Sequence, residues 1–254
     1  MEQQSKIALI TGGSRGLGKN MALALAEKGT DVIITYRSRK DEAFEVVSAI
    51  EANGRKAAAM QLDTSVVAGF KTFGNEVSAL INEKWSRSQF DYLINNAGID
   101  NRSLINDTTE DAFDSLMNVH FKGVYFLTQQ LLPMIADNGG IVNLSTGLTR
   151  FTTPGYAAYA SMKGAIETFT KYLAKEAGSR GIRANVVAPG IVKTDFTKAA
   201  REAFPDLEKI MSGNTALGRI GEPEDIGGVV AFLCSDDARW VNAQRIEASG
   251  GYSL

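Results

Sequence analysis

Tyr159 and Lys163 stand four residues apart in "GYAAYASMKGA", residues 155–165, a run of small residues that reads as helix. Four residues is one helical turn, so both side chains share a face. A free phenol has a pKa near ~10 and exchanges protons poorly at neutral pH. A neighbouring ammonium favours phenolate and shifts that value down, which makes the pair a candidate general acid/base. Tyr156 lies three residues before Tyr159, and geometry alone does not choose between them. Upstream, "NLSTG" offers the hydroxyls of Ser145 and Thr146, able to steady a substrate oxygen or merely to cap a strand. His120 is the one imidazole in the chain, a residue type that titrates near neutrality.

A Tyr–Lys pair on a helix is usually surface decoration, so the elements around it decide. "KIALITG" (6–12) is apolar at consecutive positions, as in a strand covered on both faces. Leu17, Met21 and Leu25 then recur at helical spacing as far as Gly29. "DVIITY" is a second strand, followed by a helix from about 40 to 53. "KAAAMQL" and "DYLINNAG" are the third and fourth, separated by a helix around 67–84. "GIVNLS" and "IRANVVAPG" are the fifth and sixth, with the helix 156–179 between them. A helix near 225–234 and the strand "QRIEAS" close the pattern.

Such alternation predicts an α/β fold, a doubly wound parallel sheet with helices on both faces. No linker, repeat or composition shift divides the chain, so 1–254 reads as a single domain. The longest stretch without a strand is roughly 191–242. Its first part, about 193–220, reads as a helical flap. There Phe196, Phe204, Leu207, Ile210 and Met211 form an apolar lid or ordinary helix packing.

Composition narrows the classes. With 27 basic and 29 acidic residues, the whole-molecule field gives no reason to expect nucleic acid or an anionic membrane as partner. One cysteine, Cys234, excludes an intrachain disulfide and fits a reducing compartment. No cluster with metal-ligand spacing is present, so no metal is expected. The N-terminal "MEQQSK" is polar, and no apolar run approaches the ~20 residues of a spanning helix. These features lead to the expectation of a cytoplasmic protein.

Between the first strand and the first helix lies "TGGSRGLG", with Gly12, Gly16 and Gly18 spaced G-x-x-x-G-x-G. Glycines let backbone turn tightly and approach a ligand, and free N–H groups at a helix start attract phosphate. An acid at the end of the second strand would accept bonds from a ribose diol and repel a 2′-phosphate. That strand ends "ITYRSR", with Tyr36 and Arg37 and no acid, while Arg15 supplies a second guanidinium. Arginine forks match phosphate oxygens, which favours NADP(H) over NAD(H), although NAD(H) remains open.

"TGGSRGLG", "NNAG" (95–98), Y-x-x-x-K (159–163) and "PG" (189–190) occur in this order and closely resemble the short-chain dehydrogenase/reductase family. The match runs through nearly the whole chain to Gly250 and Gly251. The resemblance implies a seven-stranded Rossmann fold and hydride transfer between a nicotinamide and a carbonyl or secondary alcohol. Its register selects Tyr159 as the acid/base and leaves Tyr156 as a wall or packing ring. It gives Lys163 the nicotinamide ribose as well. The family's serine stands thirteen residues before the tyrosine, which lands on Thr146, with Ser145 as second choice.

For the cofactor the resemblance implies Gly12, Ser14, Arg15, Gly16, Leu17 and Gly18 at the phosphates, with Tyr36, Arg37 and Asp63 around adenosine. It adds Asn95, Ala97 and Gly98 beside the sheet, with Pro189, Gly190, Ile191, Val192 and Thr194 at the carboxamide; Asn185 fits that region too. "VHFKG" puts His120 where the family's pattern has asparagine, so His120 is expected to join the proton relay to Lys163. Ser249 replaces a frequent acid before the final glycine pair. That segment packs between subunits in relatives, which implies a homotetramer or homodimer. Two alternatives stay open: a 3-oxoacyl-[acyl-carrier-protein] reductase, with Lys198, Arg201 and Lys209 facing an acidic carrier, and a non-catalytic nicotinamide sensor.

Overall fold

The apolar runs become β1 (Ile7–Ile10), β2 (Asp31–Tyr36), β3 (Ala57–Gln61), β4 (Phe90–Asn95), β5 (Ile135–Leu144), β6 (Arg183–Pro189) and β7 (Arg245–Ala248). All pair in parallel, in the order β3-β2-β1-β4-β5-β6-β7. The computed structural model describes residues 5–254; positions 1–4 of the polar N-terminal stretch lie outside the described residues.

Strand alternation sorts the core into two layers. Ala8 and Ile10 of β1 pack with Met21 and Leu25 of α1 (Gly16–Glu27), Val46 and Ile50 of α2 (Lys40–Ala52) and Val230 of α9 (Glu224–Leu233). Ile7 and Leu9 face the other way, toward α3 (Phe70–Trp85), α5 (Gly123–Leu131) and α6 (Ala157–Glu176). Each such fully buried Ile or Leu contributes roughly 1.5–3 kcal/mol, so every helix is held through one apolar stripe.

Two stretches differ from the sequence expectation. β5 begins at Ile135, five residues before "GIVNLS", and its register shifts between Phe90 and Tyr92. There Asn138 takes φ +63°, and a Cβ on Gly139 would lie 2.4 Å from the Asp91 carbonyl oxygen. The stretch "ADNGG", mostly outside the strand expected from sequence, is an irregular entry to it. Residues 110–131, given no element by pattern, form α4 (Glu110–Met117), a π-helical turn at Asn118–Lys122, and α5. The Thr109 hydroxyl caps α4 by accepting from the Ala112 amide at 3.2 Å.

The flap region holds α7 (Asp195–Ala203) and α8 (Leu207–Gly213). Strand order reverses at β1, whose neighbours are β2 and β4. The loops at the carboxyl ends of β1, β4, β5 and β6 therefore open one crevice, the place where this topology leaves room for a ligand.

Candidate active site

The crevice is a cleft of about 1230 Å³ running from Arg37 to the α7–α8 flap. At its floor the turn after β1 is built by backbone. Gly12 takes φ +67° and Gly16 φ +54°, the left-handed region that favours glycine. A Cβ on Gly18 would stand 2.1 Å from the Gly12 carbonyl oxygen, so helix and turn close on each other only without a side chain. Asn96 donates to the carbonyls of Thr11 and Gly12 at 2.9 and 3.0 Å and fixes the turn from β4. No side chain caps α1. Its first N–H groups sit on the cleft floor beside Ser14, Arg15 and Leu17, the donor set a pyrophosphate needs.

The adenosine end is charged. Arg15 is paired with Asp195 at 3.0 Å, and Arg39 with Glu42. Among the described residues the Arg37 guanidinium makes no hydrogen bond or ion pair, so the free charge at this end belongs to Arg37 and not to both arginines. Burial works to raise the Asp63 carboxyl. The Ser65 hydroxyl and amide, donating at 2.6 and 2.9 Å, and the Arg37 charge together hold it below its ordinary value. Tyr36 completes this wall.

At the other end α6 carries Tyr159 and Lys163, both buried. The Lys163 Nζ lies 5.8 Å from the Tyr159 ring centroid and donates to the Leu144 carbonyl at 2.7 Å. Burial lowers the Lys163 ammonium to about 8. The side chains around the Tyr159 phenol do not by themselves lower it. Burial pushes it well above 10, Asp100 and Tyr156 add to that, and the Thr146 hydroxyl pulls only weakly the other way. The ammonium is engaged under the ring by a carbonyl, so desolvation outweighs it and Tyr159 is a neutral phenol.

Ser145 and Thr146 part company. The Ser145 Oγ donates to the Glu167 Oε1 at 2.6 Å. The same oxygen accepts from the Thr149 hydroxyl and the Arg245 Nε, both at 2.8 Å. Arg245 also donates to the Thr146 carbonyl at 3.1 Å. Both residues line the cleft, but the Ser145 hydroxyl is already committed to Glu167, and Thr146 is the hydroxyl that meets Tyr159.

His120 projects from the π-helical turn, 1% exposed, edge-on to Tyr159 with ring centroids 5.0 Å apart. Such turns recur at functional sites because the extra residue re-aims a side chain. The His120 Nε2 lies 2.8 Å from the Ile99 carbonyl oxygen. A Cβ on Gly98 would stand 2.8 Å from its Cε1, so this glycine makes room for the ring. Burial first, then the Lys163 charge, lower His120 to about 3, and the bond to Ile99 only partly opposes them. An imidazole held that low stays uncharged near pH 7. The imidazole is neutral, with a buried Nδ1 that has no partner.

Of the residues expected from sequence, Ala97, Gly98, Pro189, Gly190, Ile191, Val192 and Thr194 line the cleft. Asn95 does not. It is the last residue of β4 and its amide donates inward, to Thr128 at 3.0 Å and Asn143 at 2.8 Å, tying the sheet to α5. Asn185 likewise bonds to the Val241 carbonyl and the Gln244 amide, away from the cleft. Sequence reasoning missed Asn96, Asp100, Arg102, Phe151 and Tyr252, all on the cleft wall. Asn96 alone carried a signal, the doubled asparagine after an apolar strand.

A family model described as enoyl-(acyl carrier protein) reductase matches residues 12–253. An uncharacterized oxidoreductase of Methylorubrum extorquens is 40% identical, with 98% of each chain covered. The 3-oxoacyl-[acyl-carrier-protein] reductase FabG of Staphylococcus epidermidis is 37% identical over 97% of this chain and 98% of its own. Among solved structures, the angucycline C-6 ketoreductase LanV with bound NADP superposes with TM-score 0.93. It is 34% identical, with 99% of this chain and 97% of that chain covered.

Proposed function

Because this chain belongs to the short-chain dehydrogenase/reductase family of oxidoreductases, we propose that it reduces a small or medium carbonyl compound with NADPH, and runs in reverse on the secondary alcohol. One observation carries this reading: a buried, neutral Tyr159 phenol beside Thr146 and above Lys163, in a cleft whose far end holds the unpaired Arg37. LanV, a ketoreductase solved with NADP, supports the same cofactor.

Gly12, Ser14, Gly16, Leu17 and Gly18 would hold the pyrophosphate, Arg37 the 2′-phosphate, and Asp63 the adenine. Gly98, Pro189, Gly190, Val192 and Thr194 would border the nicotinamide. Bound there, NADPH supplies hydride to the carbonyl carbon. Thr146 Oγ1 holds the carbonyl oxygen, and Tyr159 Oη gives it a proton. The Lys163 ammonium stabilises the phenolate left behind until solvent returns the proton. His120, neutral and fixed on Ile99, orients the Tyr159 ring and takes no part in the proton transfer. The helices at 193–220 act as a substrate flap, and the chain works as a homotetramer or homodimer.

The similarity to FabG favours a second reading, reduction of a carrier-bound 3-oxoacyl group. Of the three flap cations that could face an acidic carrier, Lys198 pairs with Glu202 and Arg201 donates to the Thr194 carbonyl, which leaves Lys209 alone without an ion pair among the described residues. A panel of ketones followed by NADPH absorbance separates the substrates. The cofactor assignment rests on Arg37. Arg37→Asp is expected to lower the NADPH/NADH ratio of kcat/KM about 10–100-fold, the range of a charge-assisted phosphate contact. An unaltered ratio removes the 2′-phosphate from this residue.

A further inference from the structure

Five cations line the cleft: Arg15, Arg37, Arg39, Arg102 and Lys163. Three are engaged, Arg15 by Asp195, Arg39 by Glu42 and Lys163 by the Leu144 carbonyl. Among the described residues the Arg37 and Arg102 guanidiniums have neither ion pair nor hydrogen bond. They stand apart in the topology, Arg37 after β2 and Arg102 after β4, on opposite sides of β1. With Arg37 accounted for by the cofactor, a free fork remains at the substrate end.

That fork is held in place. The Ser103 amide donates to the Gly155 carbonyl at 3.0 Å, joining its loop to the one before α6. Gly155 takes φ +93°, and a Cβ there would stand 2.8 Å from Arg102 Cγ, so the glycine makes room for the arginine stem. The guanidinium carbon lies 5.7 Å from the Tyr156 ring centroid and 5.6 Å from that of Phe204. Rings over a guanidinium face leave its in-plane N–H edge free, the edge that grips a carboxylate.

The path from this fork to the proton donor is aromatic. Tyr156 and Phe196 lie 6.2 and 6.3 Å from the Tyr159 ring, centroid to centroid. Phe196 is 41% and Phe204 51% exposed, faces left uncovered at a cleft mouth. Flat rings with open faces stack on a flat ligand better than they grip a flexible chain. Asp100 feels the Arg102 charge without forming an ion pair with it, and it raises the Tyr159 phenol, so a second anion beside Tyr159 is disfavoured.

We propose that the substrate is a flat aryl ketone carrying an anionic oxygen group, with its ring between Tyr156 and Phe196 and its anion on Arg102. This rests on the ketone-reductase activity assigned above, and the test separates the two. The probes are para-acetylbenzoate, its neutral analogue para-acetylbenzamide, and levulinate, an aliphatic keto acid. Each is titrated calorimetrically into NADPH-loaded protein and assayed for NADPH consumption.

The benzoate is expected to exceed the amide about tenfold or more in affinity and in kcat/KM, the order of one charge-assisted bidentate contact. In Arg102→Ala that ratio falls to about one, chiefly through KM, and Arg102→Lys keeps part of it. A ratio near one in the parent protein, or one that survives Arg102→Ala, overturns the anion site. Levulinate equal to the benzoate overturns the aromatic body. Arg102-dependent binding of the benzoate with no ketone consumed upholds the site and sinks the activity instead.

Discussion

A neutral imidazole pressed edge-on against Tyr159 has consequences for both rate and stability. With its value lowered to about 3 by burial and by Lys163, His120 stays the neutral imidazole with a single N–H at working pH. His120→Asn should therefore leave the shape of the pH–kcat profile between pH 6 and 9 unchanged. A lost or moved limb near 6.5 would return His120 to the proton relay. Stability is a separate matter. Between about 6.5 and 3 the unfolded chain takes up a proton that the folded one refuses, so this group costs stability as pH falls through that window. The slope is at most about 1.4 kcal/mol per pH unit. Urea titrations from pH 7 to 4 are expected to show a shallower acid loss in His120→Asn than in the parent. Equal slopes would mean the ring is protonated in the fold.

The loop 145–150 shows how elements distant in sequence set one hydroxyl. Glu167, one turn beyond Lys163 on α6, gathers Ser145, Thr149 and Arg245 on a single oxygen, and Arg245 comes from β7. Removing that anchor in Glu167→Ala frees Ser145 and lets Thr146 drift. A drop in kcat of about tenfold to a hundredfold is expected, the cost of roughly an ångström of misplacement, with the NADPH Kd unchanged. Equal losses in both would make Glu167 a general structural support. This network was not legible from sequence, because Glu167 and Arg245 are 78 residues apart and nothing local pairs them. Arg102 was hidden for the same reason. The strands, the glycine turn and the Tyr–Lys face were legible, because each rests on local periodicity or on one backbone constraint. Asn95 ties the sheet, as the motif implied, but does not border the cleft, because the strand's last side chain turns inward while Asn96, the next, meets the turn. The π-helical turn broke the spacing that would have marked α4 and α5 as one helical region.

On the scale of the whole molecule, β7 is an edge strand beside uncovered apolar groups. Trp240 is 95% exposed, and Leu217 and Leu254 are also uncovered. Sedimentation equilibrium is expected to give two or four chains, with Trp240→Lys shifted toward one. A parent protein that is monomeric at micromolar concentration contradicts this. Among the described residues no helix is long and apolar enough to cross a membrane. The cleft joins all these scales, since the sheet reversal opens it, helix ends and glycines line it, and the phenol proposed as proton donor is buried at one end of it. The most direct measurement is single-turnover reduction of a ketone by Tyr159→Phe with NADPH bound. The expected result is cofactor affinity like that of the parent and a rate reduced about 10²–10⁴-fold. A rate within tenfold of the parent would mean that the proton comes from elsewhere.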